Sequence, residues 1–145
     1  MANYVNQTGG VFESVSVGGK IINGDITTEK NNLNSCRRLI KAEINKHVTI
    51  KSEYAVYNGY YGYFVNDTIK IYAVDNRGET KEGILIFCYA GTGYSLRIEF
   101  TGVSEYVSLG MSVSGAGNSV SFTIPSNLRF CFFEYTPEVT TITVS

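Results

Sequence analysis

Apolar and polar residues alternate along most of this chain, and Gly, Asn or Asp breaks the alternation at roughly the eight- to twelve-residue spacing of an all-β domain. A period of two sends successive side chains to opposite faces of a strand, so the pattern predicts strands with one face turned to a core. The early segments it marks are VFESVSV (11–17), RLIKAEI (38–44), HVTIKSEYAVY (47–57), YYGYFV (60–65) and TIKIYAV (68–74). Later come GILIFCYA (83–90), YSLRIEF (94–100), EYVSLGMSV (105–113), SVSFTI (119–124), LRFCFFEY (128–135) and VTTITV (139–144). Their Val, Ile, Thr, Tyr and Phe suit a pleated, half-buried surface. In TIKIYAV, Ile69 and Ile71 fall on one face, and Lys70 and Tyr72 on the other.

The breaks have their own chemistry. Asn58-Gly59, Asn66-Asp67, Asp75 to Gly78, Gly91-Thr92-Gly93 and Gly115 to Asn118 supply residues that tolerate positive φ. VDNRGE predicts a hairpin with Gly78 in the left-handed position of a bulge. The segment from Thr27 to Arg38 has three Asn and no 3.6-residue apolar period, which predicts a loop with at most one helical turn. The polar first ten residues predict an arm that needs a neighbour to order it. The expectation is an all-β, antiparallel β-sandwich of the jelly-roll kind: an N-terminal arm at 1–10 and one domain at 11–145.

Composition narrows the function. A chain of 145 residues, 43% hydrophobic and 17% charged, is globular and long enough for a core of its own. A net charge of −1 lacks the basic stripe that neutralises phosphates, so no nucleic-acid partner is expected. Arg37, Arg38 and Lys41 sit beside Glu43 and read as a solvated strand face. No apolar run reaches the ~20 residues of a membrane span, so no membrane insertion is expected. The start, MANYVNQTGG, lacks the charged and apolar regions of a secretory leader, which predicts synthesis in the cytoplasm without export by that route. Cys36, Cys88 and Cys131 are odd in number and widely spaced; Cys88 and Cys131, inside apolar strands, are expected as buried thiols.

Catalytic chemistry finds little support. His47 is the sole histidine, which removes a multi-histidine metal site and leaves it at a strand start. GMSVS (110–114) lacks the final Gly and the following helix of a nucleophile elbow. GAGNSV (115–120) has no helix behind it and reads as a hairpin loop. The carboxylates are scattered, and the loops at Asp67 and Asp75 lack the dense oxygen spacing of a calcium site. The expectation is a non-enzyme with no catalytic residue, cofactor or metal.

The densest chemistry is YAVYNGYYGYFVND (54–67), with six aromatics from Tyr54 to Phe64. Tyr joins an apolar ring to a polar tip, so such a cluster fills a core, forms a subunit interface or stacks on a sugar. Alternation puts Tyr61, Tyr63 and Val65 on one face and Tyr60, Gly62 and Phe64 on the other. Val65 is purely apolar, which assigns the first set to the core and leaves Tyr60 beside Gly62 on an open surface. A glycan platform would stack on Tyr57 and Tyr60 and hydrogen-bond to Asn58 or Asn66.

Three stretches together carry a resemblance: Arg38-Leu39-Ile40 after a polar loop, IKIYAVDNRGE with Tyr72, Asp75 and Gly78, and FTIPSNLRFCFFEY from Phe122 to Tyr135. Their order resembles small jelly-roll modules, similar to carbohydrate-binding modules, in tail fibres and minor structural proteins of phages and prophages. The chain departs from that pattern in having no Trp and in placing Arg129 before the strand's aromatics. The resemblance implies a non-enzymatic bacteriophage virion protein, a capsid accessory, head-fibre or tail component made in the host cytoplasm. Its partners would be other virion proteins and further copies of itself, with attachment to a cell-surface glycan. The alternative it implies is a carbohydrate-binding or lectin-like domain for a bacterial or host polysaccharide.

Overall fold

The structure is a computed structural model that describes residues 15–17, 20–22, 38–113 and 117–145. The expected arm at 1–10, the loop at 27–37, most of the strand expected at 11–17 and the turn at Gly115-Ala116 lie outside these residues.

The described chain is all β, with no helix and twelve strands. They are β1 (Val15–Val17), β2 (Lys20–Ile22), β3 (Arg38–Glu43), β4 (His47–Tyr57), β5 (Tyr61–Phe64) and β6 (Lys70–Asp75). Then follow β7 (Thr80–Tyr89), β8 (Tyr94–Phe100), β9 (Tyr106–Val113), β10 (Gly117–Thr123), β11 (Leu128–Tyr135) and β12 (Thr141–Val144). β2 was not expected from the sequence, and Gly117 and Asn118, expected in a turn, open β10.

Every ladder is antiparallel. β1 and β2 form a hairpin of their own, and the other ten strands form one sheet with a path β10-β4-β5-β7-β6-β11-β3. Two long strands organise it. Ile50 of β4 pairs with Val120 of β10 and with Ile142 of β12, so β10 holds one edge and β12 the other. Further along β4, Tyr54 to Tyr57 pair with β5 instead. β7 repeats the device: β8 runs along one edge, while β6 and then β5 share the other. β5 therefore bridges β4 and β7 at one end, and the sheet wraps into a sandwich that nearly closes as a barrel. Twist of a fixed hand favours such closure, which also leaves few strand edges exposed.

The inward faces meet in one core that includes Ile50, Phe87, Leu96, Ile98, Phe133 and Ile142. β3, β6 and β11 are buried on both faces. Their outer side carries a second cluster of Leu39, Tyr72, Val74 and Phe132, with Phe130 packed against it. This explains why LRFCFFEY is a nearly continuous apolar run. It also corrects the solvated face expected around Lys41, whose ammonium lies 4.4 Å from the centre of the Phe130 ring and 3.9 Å from Glu43. A Lys stem can cover apolar surface while its charge stays wet.

Cys131 is fully buried as expected, and burial pushes its thiol up to about 12. Cys88 is not: it sits on the outer face of β7, only half-buried. Gly78 takes a positive φ of 86°, as the VDNRGE hairpin required.

Candidate functional site

The tyrosine segment folds as the β4–β5 hairpin, and its turn sets the rest. Asn58 and Gly59 take positive φ values of 55° and 72°, and Tyr60 N–H donates to the Tyr57 carbonyl at 3.1 Å. The tip is tied to its neighbours: Tyr89 N–H donates to the Tyr60 carbonyl at 2.8 Å, and the Tyr94 hydroxyl to that of Gly59 at 3.0 Å.

The two faces of β5 are reversed relative to the sequence expectation. Gly62 points inward, where an added Cβ would lie 2.3 Å from the Ala55 carbonyl oxygen. Only glycine lets the β5 backbone approach β4 that closely. Phe64 follows inward and packs edge-on to Tyr54 and Phe87. Tyr61, Tyr63 and Val65 must then stand outside, where they join Tyr57 on an open surface. One buried glycine outweighs the apolar character of Val65.

On that surface the rings form a row. Tyr57 and Tyr63 have centroids 5.0 Å apart at 31°, and Tyr63 and Tyr61 lie 6.4 Å apart at 25°. The neighbouring rings thus lie within about 30° of parallel along the exposed face. Exposed Ile84 and Val65 extend the patch, and half-buried Cys88 pairs across the ladder with Tyr61. Burial raises the Cys88 thiol, and nearby Arg97 only partly offsets this.

Of the residues named from the sequence, Tyr57, Asn58 and Tyr60 come together at the hairpin tip. Tyr60 is 69% exposed, and among the described residues it joins no ring pair. Asn66 lies at the other end of β5, six residues and roughly 20 Å of extended chain from Tyr60. Its side-chain amide donates to Glu53 at 2.8 Å.

Where β5 and β6 part along β7, a small cleft of about 70 Å³ opens between Tyr63, Ile84, Ile69 and Asp67. Asp67 itself is a buried latch, since its carboxylate accepts from Thr136 N–H at 2.8 Å and the Thr140 hydroxyl at 2.7 Å. Asp67 thereby ties its loop to the segment before β12.

A larger hollow of about 270 Å³ lies at the opposite end, between the β6–β7 and β8–β9 turns. Lys81 donates to Glu105 across it at 2.6 Å, and the Glu105 contact raises the Lys81 pKa. Asp75 accepts from the Arg77 and Glu79 amides, each at 2.9 Å, and the Glu79 amide holds its carboxyl below the usual value. On the adjoining outer face Arg97 lies 4.0 Å over the Tyr106 ring and donates through Nε to Glu99 at 2.9 Å. This hollow was missed from the sequence because its residues come from separate segments, and only the Asp75–Gly78 turn carried a local signal.

Among the described residues no group of three His, Cys, Asp or Glu side chains could hold a metal. His47 Nδ1 is 3.4 Å from the Thr123 hydroxyl at an exposed position. No protein-family model matches the chain, and no match was found among curated proteins or solved structures.

Proposed function

We propose that this chain is a non-enzymatic structural protein of a bacteriophage particle, which works by assembly through the outer face of its β4–β5–β7 surface. The observation that carries the reading is the row of exposed rings at Tyr57, Tyr63 and Tyr61, extended by Val65 and Ile84. A contiguous apolar patch on a compact domain marks a contact surface, and tyrosine is enriched in such contacts. A row of exposed tyrosines offers a protein both apolar ring surface and a line of hydroxyls. The resemblance of the Tyr72–Gly78 and Phe122–Tyr135 segments to phage fibre modules supports the capsid accessory, head-fibre or tail setting. The partner is another virion protein or a further copy of the chain.

A second reading, attachment to a polysaccharide, rests on Tyr60, whose ring stands free at the hairpin tip beside Asn58. Mass spectrometry of phage particles purified from a culture carrying the gene tests the main reading. The chain should be present at a fixed copy number per particle. Its absence from particles, with expression in the same lysate, would overturn the proposal.

A further inference from the structure

Oxidative coupling of two phenols needs rings that are adjacent, accessible and able to turn. Tyr57 and Tyr63 meet these conditions. Their centroids are 5.0 Å apart at 31°, and each ring is more than a third exposed on the outer face. They are diagonal neighbours across the ladder, because Tyr57 pairs directly with Tyr61. The Tyr61 and Tyr63 rings are also close to parallel but lie farther apart, at 6.4 Å. Tyr89 and Tyr94 meet edge-on at 62°, and each hydroxyl is tied to a backbone carbonyl, those of Gly91 and Gly59. That pair is held where it is. Tyr60, at 69% the most exposed described tyrosine, has no ring beside it among the described residues.

We infer that Tyr57 and Tyr63 form an oxidative cross-linking site, at which a haem peroxidase with hydrogen peroxide joins the two rings as dityrosine. Each phenol gives up one electron and its hydroxyl proton. The two tyrosyl radicals then bond through the ring carbons ortho to oxygen. The hydrogens on those carbons move to the two oxygens as protons, which restores both phenols. Peroxide takes up the two electrons and the two released protons and leaves as two molecules of water. A pair already in contact couples ahead of an encounter between separate chains, because the fold supplies the proximity. The new bond joins the end of β4 to β5 across the Asn58-Gly59 turn. Like a disulfide, it closes a loop that the unfolded chain must also carry. The site needs no partner protein, so it stands whether or not the chain belongs to a virion.

The test treats the full chain at micromolar concentration with a haem peroxidase and equimolar peroxide, once folded and once in urea. In the folded sample, dityrosine fluorescence should stay with the monomer on a denaturing gel. Tandem mass spectrometry of the tryptic peptide Ser52–Lys70 should show the loss of two hydrogens and no backbone fragments between Tyr57 and Tyr63. Tyr57→Phe and Tyr63→Phe keep the ring but not the phenol, and each should lower the monomer's dityrosine several-fold. Tyr60→Phe should leave it unchanged. In urea the link should spread over the tyrosines of the segment. Dityrosine that joins separate chains, or that maps to Tyr60, would overturn the inference. So would an equal yield of the Tyr57–Tyr63 link from the unfolded chain, since sequence nearness and not the fold would then explain it.

Discussion

The Asp67 carboxylate accepts a hydrogen bond from the Thr140 hydroxyl at 2.7 Å, joining two loops 73 residues apart. The same oxygen takes the Thr136 amide, and the Thr140 hydroxyl lies 3.0 Å from that of Ser52 on β4. The latch thus holds the loop before β12 against β4 and the end of β5. Removing it takes the carboxylate acceptor from the buried Thr136 amide and leaves the Thr140 hydroxyl only its Ser52 partner. Asp67→Ala should cost roughly 3 kcal/mol, read as a lower urea midpoint with unchanged slope.

Gly62 and Gly59 should respond differently to the same substitution. A Cβ at Gly62 meets the Ala55 carbonyl oxygen at 2.3 Å, so Gly62→Ala must separate β4 from β5. At Gly59 nothing lies within 4 Å, and only the positive φ of 72° opposes a side chain. Gly59→Ala should cost about 1–2 kcal/mol, and Gly62→Ala clearly more. Thermal melts of the two variants side by side check this order.

Asp75 gives the hairpin at the barrel mouth a pH dependence with a definite sign. Its folded pKa is lowered below 3.8, chiefly by the Glu79 amide. The ionised form is therefore favoured by folding, and its stabilisation is present above 3.8 and is lost as pH falls through the lower folded value. Asp75→Asn should flatten the stability profile of the chain in that acid window. A carboxyl titration followed by NMR should give Asp75 an acid-shifted midpoint.

The two described cysteines should differ in reactivity. Cys131 is fully buried with its thiol raised to about 12, so it should resist iodoacetamide at pH 8 until the chain unfolds. Cys88, half-buried on the outer face, should be modified first, although its raised pKa keeps it slower than a free thiol. Peptide mapping of a timed reaction separates them.

Much of the fold was legible from the period of two. The bounds of β4, β8 and β11 follow directly from HVTIKSEYAVY, YSLRIEF and LRFCFFEY. What the period lacks is a sign. On β5 both faces are aromatic, and the decision falls to Gly62, whose close approach to β4 is a tertiary fact. Tyr72 shows a related limit: it alternates away from the core yet is buried in the second cluster, with its hydroxyl donating to Glu134 at 2.7 Å. The tip residues Tyr57, Asn58 and Tyr60 were legible because a turn is local. Asn66 was grouped with them on sequence nearness, which the length of an extended strand undoes. The mouth hollow draws on β6, β7, β8, β9 and the start of β11, and no local signal could join them.

Hydroxyl-radical footprinting, comparing the isolated chain with the chain in purified phage particles, tests the assembly surface most directly. Tyr57, Tyr61 and Tyr63 are each exposed in the isolated chain, as is Tyr106 at the other end of the barrel. Oxidation of the first three should fall several-fold in the particle, while that of Tyr106 stays unchanged. Equal oxidation of Tyr57, Tyr61 and Tyr63 in both states would contradict the account and return the tyrosine row to an uncovered surface.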